Sequence, residues 1–144
     1  MKKLNNNLIF CIFVVLLAVL IAASGVLGGA ERRMHEDNYK AYITADRLYD
    51  EDRLDEALRI YTSLIPVYPK SYVLEYKAAM CEYYMDNYAS AITHGLTTLE
   101  LYPIIVEDAE YLEFMRSCFE LAGDEINAGV MGARLRAIGH RNER

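Results

Sequence analysis

The sequence predicts an all-α chain: one apolar N-terminal helix followed by a short stack of paired amphipathic helices. Three observations carry this expectation. Leu8 to Gly29 is a run of 22 residues without a charge. The middle of the chain matches itself at an offset of 34 residues, as Ala45 and Ala79 illustrate. Between turn-forming residues, apolar side chains recur three and four apart, the spacing of one helix face.

With 144 residues there is room for one modest domain beyond the apolar run. Residues 31–144 carry 13 Lys and Arg against 21 Asp and Glu, a formal charge of −8. Such a surface repels phosphate backbones, so nucleic acid is not an expected ligand. Cys11, Cys81 and Cys118 have no metal-ligand spacing and imply no disulfide framework.

Residues 1–7 form a short polar start containing Lys2, Lys3 and the Asn5, Asn6, Asn7 run. The expected helix over 8–29 is about 33 Å long at ~1.5 Å per residue, enough for a hydrocarbon core of about 30 Å. A cleavable secretory signal is the competing reading, with Ala22 to Ser24 or Gly28 to Ala30 as its cleavage site and a secreted product. Its apolar core is normally about 7–15 residues. Leu8 to Ala23 already exceeds that, which favours a retained single-pass anchor. Lys2 and Lys3 compete with Arg32, Arg33 and Lys40 for the inner face. A short Lys-Lys start points to an N-terminus held inside and a domain on the outer face. Ala18, Ala22, Gly25 and Gly29 lie on one helix face, where small residues permit close approach of a second span.

After a linker over 30–37, the repeat begins. Ala45, Tyr49, Asp52, Ala57, Tyr68 and Pro69 recur as Ala79, Tyr83, Asp86, Ala91, Tyr102 and Pro103, each 34 residues on. Small residues let paired helices pack closely, and Pro closes a helix before the chain turns. Helices are expected at 38–50, 54–67, 72–85, 88–101, 107–121 and 125–138. Asp52 and Asn87 are candidate N-caps, since a short side-chain oxygen accepts a first-turn amide.

These residues resemble the tetratricopeptide repeat family, whose 34-residue pattern keeps small residues at positions 8 and 20, an aromatic near 24 and Pro at 32. Repeats over about 38–71 and 72–105 put Ala45, Ala57, Tyr61 and Pro69, then Ala79, Ala91 and Pro103, at those positions. Gly95 stands at 24 in the second, and the chain has no Trp. A worn third repeat, 106–140, places Ala128 at position 20, three residues late, and carries Gly129 and Gly132. Each glycine weakens a helix by about 1 kcal/mol relative to Ala. Residues 139–144 are left as a basic tail.

The resemblance implies a concave groove that binds a peptide or helix of another protein. Its expected lining is Tyr39, Tyr42, Asp46, Tyr49 and Asp50, then Val73, Tyr76, Met80, Tyr83 and Tyr84, then Glu110, Glu113, Ser117, Glu120 and Leu121. Tyrosines and carboxylates suit a basic partner, although some of these rings are expected to pack between helices instead. Relatives that grip a C-terminal carboxylate use Lys, Asn and Arg, whereas Tyr42, Asp46, Lys77, Glu110 and Phe114 stand at the corresponding places. A second reading is a structural subunit or homo-oligomer that associates through an uncapped last repeat, with Val130, Met131, Leu135 and Ile138 as its edge.

No catalytic constellation, cofactor motif or metal set is legible. His35, His94 and His140 are scattered, and the acidic stretch from Asp46 to Glu56 lacks the alternating ligands and central Gly of a calcium loop. No phosphate-binding glycine loop or nucleophile elbow occurs, so an enzyme is not expected.

Overall fold

A computed structural model describes the backbone of residues 6–142 and the side chains of residues 13–20 and 32–139. Within these residues all regular structure is helical: α1 (Asn6–Asp50), α2 (Leu54–Leu64), α3 (Tyr72–Tyr84), α4 (Tyr88–Leu101), a 3₁₀ turn (Pro103–Glu107), α5 (Ala109–Leu121) and α6 (Glu125–Asn142). The chain divides into two units, Met1–Lys40 and Ala41–Arg144.

In the first unit the backbone is helical where a linker over 30–37 was expected. That stretch contains no Pro and, after Ala30, no Gly, so nothing in it breaks a helix. Among the described residues no helix is long and apolar enough to cross a membrane. Of the expected span over 8–29, only the side chains of 13–20 are described. Phe13, Val14, Val15, Leu16, Leu17, Val19 and Leu20 are all exposed there. On the small-residue face Ala18 is exposed, and the surroundings of Ala22, Gly25 and Gly29 lie outside the described residues.

The second unit is a succession of helices in which α2 packs on α3, α3 on α4, α4 on α5 and α5 on α6. The end of α1 joins it through Ala45 and Leu48, which are buried with Ala57, Tyr61, Leu64, Leu74 and Cys81. A second cluster gathers Ile105, Tyr111, Leu112, Met115, Phe119 and Ala128. Ala45, Ala57, Ala79 and Ala91 have no exposed surface, so each repeating alanine sits where two helices meet. Of the two repeating prolines, Pro69 acts later than expected. Helix α2 stops at Leu64 because Pro66 lacks the amide that would bond the Thr62 carbonyl, and Pro69 lies exposed in the following turn. Pro103 begins the 3₁₀ turn, which contains the three additional residues of the third repeat and buries Ile105. The basic tail is helical as far as Asn142.

The chain reverses the same way three times. Asp52, Asp86 and Gly123 hold φ of 60°, 62° and 78°, the left-handed region. Around each, one amide bonds back five residues and its predecessor three. Arg53 N–H donates to the Leu48 carbonyl and Asp52 N–H to Tyr49. Asn87 and Asp86 repeat this with Glu82 and Tyr83, and Asp124 and Gly123 with Phe119 and Glu120, at 2.8–3.1 Å throughout. This is the Schellman closure of a helix C-terminus. Asp52 therefore ends α1 rather than capping α2. Asn87 stands at the N-cap of α4 but makes no side-chain capping bond. The side-chain caps are elsewhere: Asp108 accepts from the Glu110 and Tyr111 amides, and Asp124 from the Asn127 amide.

Gly95 explains the missing aromatic of the second repeat. Tyr61, its counterpart 34 residues earlier, is fully buried. At Gly95 the next helix comes so close that an added Cβ would collide with Met115 Sδ. Tyr111 of α5 donates its hydroxyl to the Gly95 carbonyl at 2.8 Å, so the ring arrives from the neighbouring hairpin.

Two consequences are measurable by urea unfolding of the full chain in neutral detergent. Gly123→Ala should lower the unfolding free energy by about 1 kcal/mol, and Asp52→Gly should raise it by about 0.5–1 kcal/mol, as expected of left-handed positions. Gly95→Ala should cost about 1–3 kcal/mol through overpacking against buried Met115, despite a helix-propensity gain of about 1 kcal/mol. An unchanged Gly95→Ala midpoint would contradict the close approach.

Candidate functional site

Helices α1, α3 and α5 present their aromatic residues to one another. Tyr49 of α1 meets Tyr84 of α3 edge-on at 6.1 Å between ring centroids. Tyr76 and Tyr83 of α3 meet Phe114 of α5 at 5.5 and 5.4 Å. Tyr83 also packs against Tyr84 at 5.3 Å. Edge-to-face rings place the positive rim of one against the negative face of another, worth about 0.5–1.5 kcal/mol per pair. The result is a continuous aromatic strip across the first helix of each pair.

Where α1 meets α3, the strip contains an ion pair. Lys77 Nζ lies 2.8 Å from Asp46 Oδ1 and 5.5 Å from the centroid of the Tyr49 ring. Tyr61 of α2 donates its hydroxyl to the same carboxylate oxygen at 2.6 Å. Three helices are thus joined through one half-buried carboxylate. Burial pushes the Asp46 carboxyl up, but the Lys77 and Tyr61 hydrogen bonds and the Lys77 charge outweigh it and hold it below the usual range. Tyr61 is shifted far upward, by burial first and then by its bond to Asp46.

Where α3 meets α5, an open cleft of about 620 Å³ lies along the strip. Tyr76, Met80, Tyr83 and Tyr84 line it from α3, Glu110, Glu113, Phe114 and Ser117 from α5, and Leu135 from α6. Tyr84 is 57% exposed, so one of its walls offers a ring to solvent. The Tyr76 hydroxyl is pushed up by burial and then by the negative charges of Asp108 and Glu110. Glu113 is bridged to Arg116 on the same helix.

The expected lining is therefore divided by the structure. Tyr76, Met80, Tyr83, Tyr84, Glu110, Glu113 and Ser117 come together around this cleft. Tyr42 packs instead against Tyr61 at 6.0 Å, and Asp46 and Tyr49 are engaged by Lys77. Tyr39 is 66% exposed and belongs to the other unit. Glu120 pairs with Arg116 and faces a separate hollow between α5 and α6. Leu121 is exposed. Phe114, expected at a groove position only as a departure from the carboxylate grip, and Leu135, expected at the uncapped edge, join the lining. The equivalence of Phe114 with Lys77, 37 residues earlier, marks it as an inward-facing position.

Among the histidines, His94 of α4 lies 2.6 Å from Glu75 of α3 through Nδ1, within the second hairpin. His35 is exposed, and the His140 side chain lies outside the described residues. Cys81 and Cys118 are both fully buried free thiols, pushed up by burial to about 11 and about 12. No family model matches the chain, and no curated protein matches it.

The Asp46 hub has a pH signature. Its carboxyl titrates lower in the folded than in the unfolded chain, so its contribution is complete above the unfolded value near ~4 and is lost as pH falls through the folded value. Asp46→Asn should lower the unfolding free energy by about 1–3 kcal/mol at neutral pH. That deficit should shrink in acid below about pH 4. A deficit independent of pH, measured by urea unfolding across the acid range, would refute the role of the charge.

Proposed function

We propose that this protein is a membrane-anchored adaptor of the tetratricopeptide type, which holds a peptide or helix of another protein against the aromatic face of α1, α3 and α5. The observation that carries the reading is the cleft between α3 and α5, with its exposed Tyr84 and the carboxylates of Glu110 and Glu113. Support for the repeat comes from the left-handed residues, which recur 34 and then 37 residues apart at Asp52, Asp86 and Gly123. The uncharged run from Leu8 to Gly29 supplies the anchor, with the Lys-Lys start inside and the array on the outer face.

A photocrosslinking residue at position 80, inside the cleft, should capture a defined protein in intact cells, and the same residue at position 100, on the exposed side of α4, should not. Tyr84→Ala should reduce the position-80 product several-fold at temperatures well below its melting transition, which the loss of the Tyr49 and Tyr83 ring contacts lowers. Equal capture from both positions would count against the groove. For the anchor, alkaline extraction should leave the full chain in membranes and release a chain lacking residues 8–29, and protease added to intact cells should degrade the array.

A second reading, association of copies or docking in a larger complex through the last hairpin, is favoured by its exposed apolar residues. Of the expected edge, Val130 is exposed and the other three residues are not. Met131, Leu135 and Ile138 pack against the second core cluster, while Leu121, Ile126 and Val130 are exposed, Ile126 at 81%. If this reading holds, Ile126→Asp should convert a concentration-dependent oligomer in sedimentation velocity to a smaller species.

A further inference from the structure

The two junctions along the aromatic strip are built alike but neutralised differently. At the first, between α1 and α3, the chain supplies its own cation: the Lys77 ammonium sits beside the Tyr49 ring and on the Asp46 carboxylate. An ammonium or guanidinium beside an aromatic face is attracted by the ring quadrupole, and the attraction strengthens where water is thinned. At the second junction, between α3 and α5, the residue equivalent to Lys77 is Phe114, 37 residues on. Phe114 packs edge-on against Tyr76 and Tyr83 and becomes a wall of the cleft. Among the described residues no Lys or Arg lines that cleft, although Glu110 and Glu113 both do. Among the described residues, Arg116 bridges Glu113, and no Lys or Arg bridges Glu110.

We propose that the cleft between α3, α5 and α6 is a subsite for an arginine side chain of the bound partner, the guanidinium lying against Tyr84 and Phe114 and bonding Glu110. The assignment rests on the adaptor reading above and adds the chemistry that the partner must present. Guanidinium fits better than ammonium because it is planar and weakly hydrated. It stacks on a ring while its fork of donors reaches a carboxylate in the same plane. A lysine would repeat the Lys77 arrangement as a point charge and would leave the flat walls of the cleft less fully used. Met80 and Leu135 contribute apolar lining for the methylene stem. The cleft, at about 620 Å³, exceeds one side chain and leaves room for the flanking backbone.

The test uses the full chain in neutral detergent with ¹³C-methyl methionine, so that the Met80 methyl reports occupancy of the cleft. The probes are three capped alanine pentapeptides whose central residue is arginine, citrulline or lysine. Arginine should move the Met80 signal with a half-saturation on the order of tenfold lower than citrulline, its neutral isostere, and a few-fold lower than lysine. Glu110→Gln should weaken the arginine response about three- to tenfold without changing citrulline, whereas Glu100→Gln, removing an equal charge from the outer face of α4, should leave it in place. Equal responses to arginine and citrulline overturn the subsite but leave a peptide-binding cleft, and so the adaptor reading, standing. Lysine matching arginine, or Glu100→Gln weakening binding as much as Glu110→Gln, overturns it as well. If no probe moves Met80, the subsite falls, and the crosslinking result at position 80 decides separately whether the groove binds a partner.

Discussion

The left-handed residue that closes the first helix of each hairpin governs where the rest of the chain goes. At Asp52, Asp86 and Gly123 a positive φ turns the backbone back on itself within three residues. Two amides then satisfy carbonyls that the ending helix would leave bare. Because the reversal is the same each time, the following helix starts in the same register relative to the preceding one. The alanines at the centre of each crossing consequently meet a helix at every step. Two of the three residues are aspartates, for which this conformation is less favourable than for glycine. Asp86 offsets part of that by accepting the Tyr88 hydroxyl at 2.5 Å.

Between hairpins, packing replaces backbone bonding. The first junction is held by an ion pair on a shared carboxylate, with Tyr61 reaching in from the second helix of its pair. The second is held by Gly95, which lets Met115 approach, and by Tyr111, whose hydroxyl is satisfied on a helical carbonyl. Burial pushes the Tyr111 hydroxyl up to about 12, so the phenol remains a neutral donor at physiological pH. Beside this junction lies the cleft, lined by Tyr84 and by Phe114, whose ring touches Tyr76 and Tyr83.

Much of the helical layout was legible because period and spacing are local properties: the starts of α2, α3, α4 and α6 fall at the expected residues, 54, 72, 88 and 125. Asp52 was misread because aspartate favours both an N-cap and a left-handed turn. The signal that separates them is its alignment with Gly123, a residue with no side-chain oxygen to cap a helix and the one most at ease at positive φ. The cleft was partly legible, since α3 residues on one face can be counted from the repeat. Phe114 was placed at a groove position beside Lys77 but not counted as lining, and Leu135 was not legible there, because its placement depends on how α6 packs on α5. The Lys77–Asp46–Tyr61 hub joins residues 15 and 31 apart on three helices, and no spacing rule announces such a meeting. Gly95 read as a defect in a pattern is, in three dimensions, the fit between two hairpins.

The two interior thiols turn the array into its own clock. Cys81 belongs to the first core cluster and Cys118 is buried on α5, both without exposed surface. With their thiols pushed up to about 11 and about 12, the reactive thiolate at neutral pH is a fraction on the order of one in ten thousand or less. Alkylating reagents must therefore wait for the helices to part. The pace at which each sulfur is captured measures how often its own hairpin breathes, and a difference between the two rates would locate the weaker seam of the stack.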